Sequence, residues 1–336
     1  MSWMTLGSLA LPFQLNRNSV ALRADLSRLS TEMTTGRAAA PAAHLRGDLA
    51  PLSAVETRAR RVDAALTAAR TAQTEAGAGQ RALSELAGIA SETAASLLNV
   101  ASRATDPGAL RNAGSVARLA LDGAQGALSA TIAGKALFSG AATDRPPLVA
   151  IETMLGTLAP LVAGATSADQ VADTISAAFL DPGGLFETQF YRGAAATPGA
   201  PLDADQRAAT LPTAGDPAIR TLLSGLAMAA LAADDSLSLP QDQRAALAQR
   251  ASLTLFNAGT GLTGVQARLG EAEGRLESLQ TRLTGERSAL DLARESLIGV
   301  DSFEAAGKLQ EAQTRLEVLY AVTARSSRLS LVEYLR

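Results

Sequence analysis

The chain has 336 residues, 30 Lys and Arg against 33 Asp and Glu, one histidine and no cysteine. A net charge of −3 with no basic stripe argues against nucleic acid as a partner, and the missing cysteines exclude disulfides and thiolate sites. The lone histidine, His44, leaves no means of building a His-rich metal site or a histidine proton relay, and the residues suggest no cofactor.

Met1–Phe13 carries no positive charge, so it lacks the basic region of a cleaved secretory leader. Uncharged apolar runs stay short of the roughly 18 residues a membrane span needs, Gly225–Ala233 being too brief. The expectation is a chain with no membrane span, soluble or exported without a cleaved signal. Residues 1–12 are small and uncommitted, ending at Pro12.

From Leu15 a helical seam begins: Leu15, Ser19, Leu22, Leu26, Leu29 and Met33 alternate by four and three. Gly36 marks its C-terminal stop, and Arg37–Ala43, with Pro41, reads as a hinge. A longer seam follows from Leu45, with Leu52, Val55, Val62 and Leu66 as its strongest positions, and continues weakly to Leu97. Gly77 and Gly79 are its predicted weak point. Asp106-Pro107 opens a further helix expected to reach about Lys135, and Ala136–Gly140 ends it.

Between Ala141 and Leu239 prolines concentrate and turn signals recur, as at Asp181-Pro182-Gly183-Gly184. Short helices are predicted at Leu148–Leu161, at Ala168–Leu180 behind Ser167 and Gln170, and at Ala218–Ala233 behind Asp216-Pro217. Phe186–Arg192 alternates like a strand, and Leu202–Leu211 reads as a second. Ser238 with Gln241 restarts helix. Leucine then recurs at every seventh position from Leu255 through Leu262, Leu269, Leu276, Leu283 and Leu290 to Leu297. Such a helix must pair to bury its seam, and the Leu45–Leu97 helix, run antiparallel, is the natural partner. After a break at Gly299, Ala305, Leu309, Ala312, Leu316 and Leu319 form a last seam running to Arg328.

Chemistry-bearing groups are scarce. Asp234-Asp235, the adjacent carboxylates of the middle region, read more simply as a solvated turn. Gly259, Gly261 and Gly264 lack the strand and lysine of a phosphate loop and read as helix interior. Arg58, Arg60 and Arg61 read as a solvated helix face, and Trp3 as a lone aromatic near a chain end. No enzyme emerges. The expected fold is mainly α, a long antiparallel helical bundle or coiled coil formed by both chain ends, with a mixed α+β insertion. Its expected parts are 1–40 with 301–336, 41–140 with 240–300, and an insertion over 141–239. The two terminal seams make a unit too thin to bury both apolar faces, which favours order through neighbouring copies.

Four stretches resemble motifs of the flagellin superfamily. Leu29–Arg37 is similar to that family's LSTG(K/R) end of the first helix. Ala133–Gly140 resembles its G-(K/R)-x-LFSG exit, Leu262–Gly270 the start of its long C-terminal helix, and Leu329–Leu335 its LSLxxYL ending. Together they frame about 240 residues outside the insertion. The exit and the ending are more similar to the hook–filament junction branch than to filament flagellin, and the chain lacks an Ile-Asn-Thr-Asn-like opening. It departs from both patterns in its alanine richness and in having Ala39-Ala40-Pro41-Ala42-Ala43 where an Asp-Asp-Pro-Ala run usually stands.

The resemblance implies a structural flagellar component secreted to the extracellular flagellum. It implies copies of the chain in a ring, with the first hook-associated protein, flagellin and a flagellar export chaperone as partners. The seam residues Leu15, Leu22, Leu26, Leu29, Met33, Leu309, Leu316 and Leu319, with Leu331 and Leu335, are then the expected assembly and chaperone surface. Leu52, Val55, Val62, Leu66, Leu262, Leu269, Leu276, Leu283 and Leu290 are the expected intramolecular spine. Filament flagellin, and a binding or enzymatic module in 141–239, remain the alternative readings.

Overall fold

The computed structural model describes residues 7–101, 107–199, 201–203, 206–208, 210–234 and 237–334. Helix dominates, as the heptad patterning requires. Nine α-helices are seen among these residues: α1 (Gly7–Thr35), α2 (Pro41–His44), α3 (Ala50–Ala101), α4 (Pro107–Leu128), α5 (Ile151–Val162), α6 (Ala168–Leu180), α7 (Pro217–Ala232), α8 (Gln241–Ile298) and α9 (Ser302–Tyr334). Two small hairpins accompany them, β1–β2 (Thr131–Ile132, Lys135–Ala136) and β3–β4 (Pro201–Asp203, Gln206–Arg207). The chain gathers into two compact units, one of residues 1–63 with 284–336, the other of residues 64–283.

In the first unit, α3 and α8 run antiparallel, tied by Arg58–Glu286 (2.5 Å), Arg287–Asp63 (2.8 Å) and Arg294–Glu56 (3.5 Å). In the second, Ser252 on α8 donates its hydroxyl to the Ala94 carbonyl of α3 at 2.8 Å, and Leu269 packs on Gly79. In the second unit Ser252 lies by Ala94 and Leu269 by Gly79, so α3 numbers decrease as α8 numbers increase, which is the antiparallel arrangement.

The core of the second unit surrounds α7, a helix buried on every face from Leu222 to Ala232. Its sequence, with Gly225 and Ser224 between leucines and alanines, has no polar stripe to turn toward water. Aspartate 216 caps its start by accepting from the Ala218 amide, and Arg244 closes its end, donating to the carbonyls of Ala232, Asp234, Leu237 and Leu239. Helix α4 approaches so closely that a Cβ on Gly114 would stand 2.1 Å from that of Ala233. Ser167 caps α6 by accepting from the Gln170 amide at 3.3 Å.

Several local expectations fail for identifiable reasons. Phe186–Phe190 is one turn of π-helix, not a strand, because Phe186 and Phe190 lie four apart and both enter the core with Phe179, while Thr188 faces water. Only Tyr191 takes a strand-like contact, bridging Leu148. Helix α4 stops at Leu128 rather than near Lys135, since Ala133 and Gly134, both at positive φ, turn the β1–β2 hairpin. Helix α3 runs unbroken through Gly77 and Gly79. A Cβ on Gly79 would meet Leu269 and Leu211 at 3.4 and 3.7 Å, ordinary packing distances, so the position lies against its neighbours inside a continuous helix.

Leu202–Leu211 holds the short, bulged β3–β4 hairpin in place of one strand. Helix α1 begins at Gly7 and passes through Pro12, α9 continues to Tyr334 past Arg328, and Pro41–His44 forms a single helical turn. The proline there sits at the first helical position, where its missing N–H costs nothing.

Candidate assembly surface

Helices α1 and α9 lie along each other in the first unit. Their seams repeat by four and three, so each helix keeps one narrow apolar stripe toward the other. Leu29, Ala305 and Ala312 are buried, while Leu15, Leu22, Leu26, Met33, Leu309, Leu316 and Leu319 are half-buried. Half-burial is what a two-helix ribbon can give, because no third layer covers the flanks of the seam. Arg23 crosses the pair, donating from Nε and Nη2 to the Tyr320 hydroxyl at 3.1 and 2.7 Å. Leu331 lies within the backbone of α9, and Leu335 and Trp3 fall outside the described residues.

The outer faces of this pair carry apolar side chains that the seam reading passed over. Phe303 is 89% exposed, Phe13 70%, Val20 60%, Val318 57% and Val322 50%. At 100° per residue these positions lie away from the seam, so a 4-3 count ignores them; a full helical wheel would have found them. Each exposes apolar area that water solvates unfavourably, at about 25 cal/mol per Å².

Where the terminal pair meets the long helices, both segments of the chain break helix together. Gly36 adopts φ +66°, and Arg37 and Gly299 form an antiparallel bridge. The Ala38 amide donates to the Ile298 carbonyl at 2.8 Å, and the Val300 amide to the Gly36 carbonyl at 2.9 Å. The Arg37 guanidinium donates to Glu295 at 2.9 Å. Arg28 reaches both Asp25 and Glu32; burial opposes its charge, yet the two carboxylates hold its pKa above the ordinary arginine value. Asp301 caps α9, accepting from the Phe303 amide at 2.8 Å.

The remaining expected residues are placed as follows. Leu52, Val62, Leu66, Leu262, Leu269, Leu276 and Leu283 are buried, with Val55 and Leu290 half-buried. Gly259, Gly261 and Gly264 lie inside α8, where Gly261 meets the Ala218 methyl. Arg58 pairs with Glu286, His44 is exposed, and Asp234 pairs with Arg118 at 2.9 Å; Asp235 lies outside the described residues. Among the described residues no three His, Asp or Glu side chains gather as metal ligands. A cleft of about 950 Å³ between the β3–β4 hairpin and α8 presents Arg207, Arg275 and Arg282 with one carboxylate, Glu271. It offers no paired acids for acid–base work. No helix among the described residues is long and apolar enough to cross a membrane.

Residues 255–335 match the model of the bacterial flagellin C-terminal helical region. The matched stretch opens on the first leucine of the seven-residue ladder and takes in the helix break and the whole of α9. The match covers about a quarter of the chain and includes two of the four stretches that resemble the flagellin superfamily, Leu262–Gly270 and Leu329–Leu335. No curated protein matches the chain.

Proposed function

We propose that the chain is a ring-forming adaptor of the bacterial flagellum, joining the hook, through the first hook-associated protein, to the flagellin filament. The observation that carries an assembly role is the terminal ribbon: a half-buried seam inside and exposed Phe13, Val20, Phe303, Val318 and Val322 outside. A helix pair with apolar side chains on both sides gains order when neighbouring copies cover it. The choice of the junction over the filament rests on the Leu137-Phe138-Ser139-Gly140 exit and the Leu329–Leu335 ending.

The exit is built into the fold: Phe138 and Ser139 are buried, and a Cβ on Gly140 would stand 2.2 Å from the Ala194 carbonyl. In this reading the chain is exported without a cleaved signal, an export chaperone covers α9 beforehand, and residues 1–40 with 301–336 form the assembly domain. The 141–239 insertion then serves as an outer module.

The second reading, filament flagellin, is favoured by the description of the matched region itself. A binding or enzymatic role for 141–239 is the weakest, because the cleft beside it holds a single carboxylate. Labelled antibody against the chain on intact flagella separates the first two: signal confined to the joint supports the adaptor, and signal along the filament overturns it. Purified chain that grew into long homopolymers without other components would likewise overturn it.

A further inference from the structure

The two helix breaks are one structure made from two distant pieces of chain. Gly36 supplies the left-handed residue that ends α1. Gly299 ends α8 where a Cβ would stand 2.5 Å from the Glu295 carbonyl. Their hydrogen bonds are reciprocal: Ala38 N–H to Ile298 O, Val300 N–H to Gly36 O. Neither bond survives a slide of one strand along the other, because both depend on the same apposition of Arg37 and Gly299. Beneath the bridge, Leu29, Ala38, Ile298 and Ala305 are all at most 8% exposed.

Burial then fades outward along the terminal pair. On the seam, Ala305 is 1% and Leu29 5% exposed, while Leu15, Leu22, Leu316 and Leu319 farther out are half-buried. Bringing α1 and α9 together closes a loop of more than 260 residues, an entropic cost met once, at whichever contact forms first. After that, each further seam layer is a local addition. The first contact with both backbone pairing and full burial is the joint.

We infer that the joint is a clasp whose two strands open and close as one element, and that the terminal helix pair zips outward from it. The pair therefore opens from its free ends inward while the clasp stays shut. This holds whichever flagellar component the chain is.

Residue-resolved amide exchange on the full chain tests the inference. The Ala38 and Val300 amides should exchange within about twofold of each other, and more slowly than those of Val20 and Val322. Gly36→Ala, which places a side chain at a left-handed φ, should speed both joint amides together by roughly five- to tenfold. Arg37→Ala removes only an exposed ion pair, so it keeps the test open if Gly36→Ala fails to fold; it should move both amides by the same small factor.

Zipping has its own readout. Because the chain has no cysteine, Arg23→Cys with Tyr320→Cys reports pairing midway along the two helices through a bismaleimide cross-link. Cross-linking should slow when Gly36→Ala is added. Joint amides that differ by more than about tenfold, or that respond separately, overturn the clasp; Val20 and Val322 amides more protected than the joint, or an unchanged cross-linking rate, overturn the zipper.

Discussion

Phe303→Ala separates stability of the monomer from stability of the assembly. At 89% exposed, the Phe303 ring is already in water in the single chain, so its removal should change monomer stability by less than about 0.5 kcal/mol. The Phe303 amide that donates to the Asp301 carboxylate belongs to the backbone and is kept. If a neighbouring copy covers that ring, full burial of a phenylalanine is worth about 1.5–3 kcal/mol. Losing it should weaken each subunit contact by roughly 10- to 150-fold. Thermal melting by circular dichroism reads the first quantity, and the critical concentration for assembly reads the second. A melt lowered by several degrees with assembly intact would sink the argument, because the ring would then be serving the fold and not the interface.

Other expectations concern the two units separately. Removing residues 302–334 should abolish assembly while residues 64–283 keep their helical signal and their cooperative melt; intact assembly would refute the role of the terminal pair. Gly114→Ala should destabilise the α4–α7 packing by about 1–3 kcal/mol, read as a lower urea midpoint, because the added methyl meets Ala233 at 2.1 Å.

Glu187 gives a pH test. Its carboxylate accepts from the Gly183 amide at 2.9 Å and pairs with Arg220 at 3.0 Å, which holds its pKa below the ordinary 4.5. A depressed carboxylate contributes stability that is present above the unfolded value and is lost as pH falls through the folded one. Glu187→Gln should therefore lower stability at neutral pH and erase the difference from the parent below the folded pKa. Equal midpoints at pH 7 and at pH 3 would show that the contacts do not matter.

The long helices were legible because leucine at every seventh position from Leu255 to Leu297 leaves little else to read. Capping signals were equally direct: Ser167 with Gln170 and Asp216 with Pro217 mark the helix starts at α6 and α7. Short segments misled. Phe186 and Phe190 satisfy alternation and helical spacing at once, and only burial against Phe179 decides between them. Gly79 reads as a break because a glycine that ends a helix and one packed inside a continuous helix are the same letter. The joint was half visible: Gly36 and Gly299 marked the stops, but the pairing of Arg37 with Gly299 spans the chain and has no local signal. Phe303 and Val318 have no seam signal, because a 4-3 pattern samples one helix face and they stand on the opposite one.

The burial of α7 on every face also determines how its sequence can vary. On α8, substitution tolerance should rise and fall with a period near 3.5 residues, as positions alternate between seam and solvent. From Leu222 to Ala232 no position faces solvent, so no such rhythm can exist there. A mutational scan of the whole chain would show α7 as one unbroken intolerant block, a helix whose period is erased from the record of permitted changes.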